Sequence, residues 1–531
     1  MLLRILFVLT GFLQSALAAD NYPRNEAVDI KRYIFRLELN DTTNRIAGQA
    51  TVKFVVKKAL RDIELDLIEE SQHTGMQVDE VRMNNRQLIY NHRSGRLKIL
   101  FPAELQAGQE AEVTIRYAGI PADGLIISKN RYGERTFFAD NWPDRARHWL
   151  PCIDHPYDKS AVEFIVIAPL HYQVVANGIR VEESYLSPNQ KLTHWREEVD
   201  LPTKVMVIGV ARFATAYLGS VYHIPVEAWV YPQNRAEGFA DYAPAVKVLD
   251  FFHRFIAPYP YQKLANVQST TRYGGMENAN TIFYFERSVT GKGQVENLIA
   301  HEIAHQWFGN SASEKDWHHV WLSEGFATYF THVYLEHTYG PERRKEGMLR
   351  DRQQVIRHCA KSPAPVVNST ISNYNELLSP HVYERASWVL HMLRRQLGDS
   401  VFFQGVRTYY NRYRGSNALT EDFRNVMEEV SGQKLETFFR QWLYETAIPR
   451  LQISWQYQSG NTEITVTQAQ SGPVFMLNLE ADIEMPDNTK HRKLMQLTGK
   501  SHTFRFPGAV RPVRVTFDPD VNLLYEEVKG H

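Results

Sequence analysis

Two cysteines in 531 residues are too few for a disulfide framework, and Cys152 and Cys359 lack metal-ligand spacing. They could pair in an oxidising compartment or stand as two separate buried thiols, and no chemistry is assigned to them. An excess of one charge is missing too: 60 Lys and Arg balance 60 Asp and Glu. Net charge therefore argues for neither nucleic acid nor an anionic membrane surface. No internal repeat and no low-complexity tract is present, and past the first residues no apolar run is long enough to cross a bilayer. What remains, 44 % hydrophobic and 23 % charged, is ordinary globular composition. The length suits about three domains.

The first residues read as an export leader. Arg4 is a short positive region, Ile5 to Leu13 an apolar core, and Ala16-Leu17-Ala18 an A-x-A cleavage site. The run is short for a membrane anchor, and no Cys follows it to carry a lipid. The expectation is a leader over residues 1–18 and a mature chain beginning near Ala19 or Asp20. No stable membrane anchor would then remain, and the location would be periplasmic or extracellular.

Strand alternation dominates from about residue 28 to 215. Tyr33, Phe35, Leu37 and Leu39 alternate with polar neighbours, as do Val52, Phe54 and Val56, and later Val162, Phe164 and Val166. Many short half-buried strands predict an all-β saddle or sandwich. One more β stretch, Val221 to Tyr231, leads into helical spacing at Tyr242–Ile256, Gln294–Phe308, Leu322–Tyr339 and Tyr383–Leu397. Two shorter patterns, Asp422–Val430 and Leu435–Tyr444, follow. Pro449 closes the helical part, and alternation returns in Leu451-Gln452-Ile453-Ser454-Trp455 and Ile464-Thr465-Val466.

Chemistry concentrates in His301-Glu302-Ile303-Ala304-His305 and Trp321-Leu322-Ser323-Glu324-Gly325. Residues four apart on a helix share a face, so His301 and His305 can present two imidazoles to one metal ion. Glu302, one position on, can reach a water there without being a ligand. Glu324 supplies a third ligand from a second helix, whose buried face is spaced by Leu322, Phe326, Tyr329 and Phe330. Two His and one Glu with an open position form a catalytic zinc site of the thermolysin type. The bare pentapeptide also arises by chance, as a helix carrying two surface histidines.

Upstream lies Tyr273-Gly274-Gly275-Met276-Glu277-Asn278. Read alone, it is either a turn with a solvated glutamate or a stretch whose glycines admit close approach while the carboxylate meets a cation. Taken with the zinc motif, it resembles the aminopeptidase N-like zinc metallopeptidases, a family that includes leukotriene hydrolase. Their Gly-x-Met-Glu-Asn motif precedes His-Glu-x-x-His, with a Glu after 18 intervening residues, here positions 306 to 323. Further matches are Gln306-Trp307-Phe308-Gly309-Asn310, Tyr383-Glu384-Arg385-Ala386 and the Pro151-x-x-Asp154-x-Pro156 run. The resemblance spans roughly residues 28 to 450.

The resemblance implies a multidomain α+β chain. An N-terminal β domain at 19–215 would precede a thermolysin-like α/β catalytic domain at 216–448 and a small C-terminal β sandwich at 449–531. It implies one zinc ion per chain, held by His301, His305 and Glu324, with Glu302 as general base. Tyr383, by itself a core tyrosine among 27, would become a donor to the oxyanion. Glu277 would hold the free α-amine of a peptide substrate, with Gly274, Gly275, Met276 and Asn278 aligning it like an added strand. The family often has a Gln beside the amine, where ungapped counting from Arg147 and Pro151 puts Asp140; that residue is equally a loop aspartate. Asn310 and Asp316 could orient the ligands or be solvated loop residues, and His318 and His319 read as surface or groove residues. Many relatives carry a further helical domain, so a more open cleft is expected of this chain. Rival readings are an epoxide hydrolase, a non-catalytic peptide-binding relative and an endopeptidase that would not need Glu277.

Overall fold

The computed structural model describes residues 20–529, so the expected leader lies outside the described residues. Strands make up most of residues 28 to 211, broken by loops of which the longest runs from 140 to 159. The largest sheet has eight, in the order Ile179–Ser187, Gln190–Leu201, Ser160–Pro169, Val28–Glu38, Ile46–Val56, Glu110–Ile120, Gly75–Met83 and Arg86–Gln87. Its core face is set by alternation with one phase change. Val28 and Ile30 are buried, then Tyr33, Phe35 and Leu37. A bulge between Ile30 and Arg32 makes the shift, because one extra residue turns every later side chain to the opposite face. Two smaller sheets of three and four strands complete this β-rich region.

The next sheet has five strands, ordered Ala214–Val221, Ile224–Val230, Leu264–Ser269, Thr281–Phe285 and Gly275–Met276. Its three middle strands run parallel, and Gly275–Met276 lies antiparallel on the edge. The β stretch expected at Val221–Tyr231 is the strand Ile224–Val230, and the strand Ala214–Val221 precedes it. A tight turn joins them at Tyr222 and His223, with φ of 47° and 69°. Two left-handed residues give a hairpin turn its twist, but Tyr-His carries none of the usual Asn-Gly signal.

The helix expected at Tyr242–Ile256 is α2 (Pro244–Phe255), and a further helix, α1 (Arg235–Tyr242), precedes it, since Pro244 starts a helix and cannot continue one. They are followed by α3 (Glu296–Ala304), α4 (Trp321–Tyr339), α5 (Pro341–Cys359), α6 (Ala386–Leu397), α7 (Asp399–Tyr413), α8 (Thr420–Ser431) and α9 (Glu436–Phe439). A π-helical turn, His381–Arg385, runs directly into α6. Helix α5 gave no apolar pattern because it buries little besides Met348 and Val355 of its large apolar residues. After Pro449 come a four-stranded and a three-stranded sheet. Cys152 and Cys359 are both free thiols, the first buried and the second half-buried. Among the described residues no helix is long and apolar enough to cross a membrane.

Candidate metal centre and its cavity

Helix α3 buries Ile299, Ala300, Ile303 and Ala304, which leaves the other face to His301 and Glu302. His305 sits at its C-terminal cap, and the chain then turns at Gly309, whose φ is 115°. A Cβ at Gly309 would lie 2.1 Å from Ser323 Oγ and 3.2 Å from His305 Nδ1, so glycine lets this turn lie against the ligand. His305 Nδ1 donates to the Phe308 carbonyl at 3.1 Å, which turns Nε2 toward the site. Helix α4 brings Glu324 in its first turn. A close crossing follows one residue on, where a Cβ at Gly325 would come within 2.5 Å of the Ala386 methyl. That crossing sets the π-helical turn carrying Tyr383 beside Glu324.

Three ligand atoms converge. His301 Nε2 and His305 Nε2 are 3.1 Å apart, and Glu324 Oε2 lies 3.5 Å and 3.2 Å from them. Ligands at about 2.0–2.1 Å in a tetrahedron are separated by roughly 3.3–3.4 Å, so the spacing fits one zinc-sized ion. The electrostatics fit as well. Burial would raise the Glu324 carboxyl, but the two imidazoles override it and hold the group ionised. Burial likewise disfavours a charged imidazole; at His305 the carboxylates of Glu324 and Glu277 outweigh it and lift the pKa to about 9. The carboxyl groups of Glu277, Glu302 and Glu324 are buried around two imidazoles, and a dication would offset the negative charge they gather there.

These groups line a cavity of about 370 Å³. Glu302 stands beside the edge strand, where a Cβ at Gly275 would be only 2.2 Å from its Oε1; a Cβ at Gly274 would meet nothing. Of the two glycines, only Gly275 is demanded by close approach. Burial pushes the Glu302 carboxyl well up, helped by Glu277 and Glu324 and opposed by His305. Tyr383 stacks over His301 with ring centroids 6.0 Å apart. Burial, then the carboxylates of Glu324, Glu277 and Glu302, push its phenol well above the ordinary range, so it stays a donor.

Glu277 is 4 % exposed, and its Oε1 has no hydrogen-bond partner. Its position is held from the backbone: the carbonyl accepts from Gln306 Nε2 at 2.8 Å and Asn310 Nδ2 at 2.6 Å. Asn310 thus orients this anchor, not the ligands. Met276 is buried in the cavity wall, and Asn278 turns the chain with both side-chain polar atoms unpartnered.

The placement of Asp140 beside an amine is corrected. Its buried carboxylate accepts from Arg145 Nη2 at 2.6 Å and is absent from the cavity wall. Burial raises its pKa and the cations Arg145 and Arg272 lower it. Trp142, two residues on, lines the cavity instead, together with Tyr273, Leu298 and Leu378. Leu298 had a signal, since it stands one turn before His301 and Glu302 on their face; Leu378 had none. Asp316 is also displaced from the ligands: it accepts from the Asp20 backbone N–H at 2.8 Å and pairs with Arg24 at 3.1 Å. His318 and His319 are buried, not surface residues. His318 donates to the Ile371 carbonyl at 3.0 Å, and His319 meets Thr420 Oγ1 at 2.7 Å.

A β-rich half thus leads to a helical half that carries this candidate metal centre. The family model described as "Peptidase M1 N-terminal domain" matches residues 30–205, and that described as "Peptidase family M1 domain" matches 241–442. Together they take in the greater part of the sequence, and the chain belongs to peptidase family M1. It is similar to Aminopeptidase 2 of Candida albicans, 24 % identical over 449 residues, covering 79 % of this chain and 47 % of that protein. Glutamyl aminopeptidase of Mus musculus is 24 % identical over 475 residues, 83 % of this chain and 49 % of that one. Aminopeptidase N of Oryctolagus cuniculus is 26 % identical over 367 residues, 64 % and 38 % respectively. The chain spans about half or less of the length of these relatives.

Proposed function

We propose that the chain is a zinc-dependent aminopeptidase that removes the N-terminal residue of peptides. The observation that carries this reading is the buried, unpartnered Glu277 oxygen in the same cavity as the His301, His305 and Glu324 cluster. A zinc ion held by those three residues would polarise the scissile carbonyl and make a water more acidic. Glu302 takes a proton from the attacking water and passes it to the leaving amine. Tyr383 donates its O–H to the oxygen on which negative charge develops. Glu277 accepts a charge-assisted hydrogen bond from the substrate ammonium, so an internal peptide bond, having no ammonium there, is passed over. Gly275–Met276, on the sheet edge, offers backbone groups to an extended peptide.

The wall beside Glu277 is made by Trp142, Tyr273 and Met276, with Leu298 and Leu378 nearby and no Lys or Arg. That lining favours an apolar first side chain over an acidic one, which three carboxylates would repel. The seven C-terminal strands we read as a small β sandwich after Pro449. From the leader pattern at residues 1–18 we also infer export to a periplasm or the cell exterior.

The test is a panel of amino-acid anilides with an N-acetylated control, run on zinc-loaded wild type and Glu302→Ala. Hydrolysis of free-amine substrates only, led by Leu, Met and Phe and abolished in the variant and by chelation, is expected. A chain that binds zinc stoichiometrically yet turns over no anilide would overturn the proposal.

A further inference from the structure

Glu277 has no side-chain partner to hold its carboxylate, so its distance from the metal ligands is set by the backbone around it. Three residues on, Asn280 occupies the turn between the edge strand Gly275–Met276 and its neighbour Thr281–Phe285. It is fully buried, with φ at 52°, a left-handed conformation that Asn tolerates better than most residues. Every polar atom it has is engaged.

Its backbone N–H donates to Gln306 Oε1 at 2.7 Å, and the Nε2 of the same Gln306 donates to the Glu277 carbonyl. Its Nδ2 donates to Glu197 Oε2 at 2.6 Å. Its Oδ1 accepts from the Gly178 N–H at 2.9 Å and from Lys263 Nζ at 2.7 Å. Its own carbonyl accepts from the Ala265 N–H at 2.9 Å. Gln306 directly follows the ligand His305; Gly178 and Glu197 belong to the N-terminal β region; Ala265 is in the neighbouring strand of the five-stranded sheet. Three bodies of the fold meet on this one residue: its side chain holds the N-terminal β region and Lys263, and its backbone holds Gln306 and the neighbouring strand. None of these partners lines the cavity, so none is placed to touch substrate. Gly178 is itself fixed within the β region: it has φ 79°, and a Cβ there would lie 1.9 Å from the Arg196 carbonyl oxygen.

We propose that Asn280 is the positioning residue of the amine anchor. By tying the N-terminal β region and the sheet to the helix that carries the ligand histidines, it sets how far the Glu277 carboxylate stands from the point of attack. That spacing fixes the cut at one residue from the substrate's amino end. The inference rests on the reading of Glu277 given under Proposed function. It assigns to a residue outside the cavity the register that Glu277 reads.

The experiment compares zinc-loaded wild type, Asn280→Gly, Asn280→Asp and the double variant Asn280→Asp/Glu197→Gln. Glycine suits the left-handed backbone and keeps the N–H bond to Gln306 while removing every side-chain bond. Asp leaves two carboxylates facing each other, and a carboxamide at position 197 restores the hydrogen bond with its direction reversed. Each protein is assayed on leucine anilide and on its desamino analogue, with zinc content and thermal unfolding measured alongside. Asn280→Gly and Asn280→Asp should raise KM on the free-amine substrate about tenfold or more, leave the desamino rate within about threefold, and so narrow the discrimination between the two. The double variant should recover most of the lost discrimination. Variants that bind zinc and keep the wild-type ratio, or lose both activities equally, overturn the assignment of Asn280 alone. A wild type that prefers the desamino substrate, or cleaves neither, overturns the aminopeptidase reading and this inference with it.

Discussion

A methyl group placed on Gly275 separates the position of the general base from the stability of the fold. The added Cβ would stand 2.2 Å from Glu302 Oε1, 2.5 Å from its Cδ and 2.7 Å from its Cγ. Ordinary contact between such atoms is about 3.5 Å, so the carboxylate must retreat by roughly 1 Å. Displacing a catalytic group by about that much costs on the order of 100-fold in rate, about 2.7 kcal/mol of transition-state stabilisation. Little stability should be lost. Gly275 is outside the left-handed region, and replacing Gly by Ala at a compatible backbone contributes about 0.4–1 kcal/mol through the unfolded chain. Gly274→Ala is the matched control, since its Cβ would meet nothing within 4 Å. The assay is kcat on leucine anilide with zinc content and Tm for both variants. Expected are a kcat near one hundredth of wild type for Gly275→Ala, wild-type kcat for Gly274→Ala, and full zinc in each. Equal activities in the two variants would refute the claim that the glycine exists to seat Glu302.

The ion pair of Lys204 and Glu314, 2.6 Å apart and 1 % and 0 % exposed, joins the β-rich region to the short strand Ala312–Glu314, which lies between α3 and α4 in the chain. Lys204→Met should cost about 3–5 kcal/mol in urea unfolding by stranding the carboxylate, and adding Glu314→Leu should recover most of it; a single variant as stable as wild type contradicts this. His381, in the turn that carries Tyr383, donates to the Ser362 carbonyl at 2.8 Å. Its pKa is lowered to about 4, first by burial and then by the cationic Arg385 and His358, although the Ser362 bond opposes them. A folded pKa below the unfolded one means stability that is present above about pH 6.5 and lost as pH falls through 4. After solvent screening this amounts to about 2 kcal/mol. His381→Gln should flatten the pH dependence of unfolding between pH 6.5 and 4, and an unchanged slope would place the titration elsewhere.

Local periodicity made much of this protein legible in advance. A four-residue step within a helix puts His301 and His305 together whatever surrounds them, and the apolar spacing of Leu322, Phe326 and Phe330 marks the helix that offers Glu324. Strands such as Val28–Glu38, Ile46–Val56 and Glu110–Ile120 showed because each buries one face. Where burial is sparse, as in α5, or a turn uses unusual residues, as at Tyr222 and His223, periodicity says nothing.

The rest was decided by contacts between distant parts of the chain. Asp140 was placed by ungapped counting from Arg147 and Pro151, and counting does not show that the Arg145 guanidinium pairs with its carboxylate. His318 and His319 looked polar enough for the surface and are packed inside against Ile371 and Thr420. Asn280 carried no signal, because Gly178 and Glu197, which give it meaning, lie 102 and 83 residues away. By itself the sequence determined which residues could share a helix face or a sheet face, since that follows from the rise and turn of one short segment. Only the tertiary structure decided which of them meet across the fold and which polar groups are left without a partner. Those outcomes depend on the approach of whole sheets and helices, and a short stretch of sequence does not encode it.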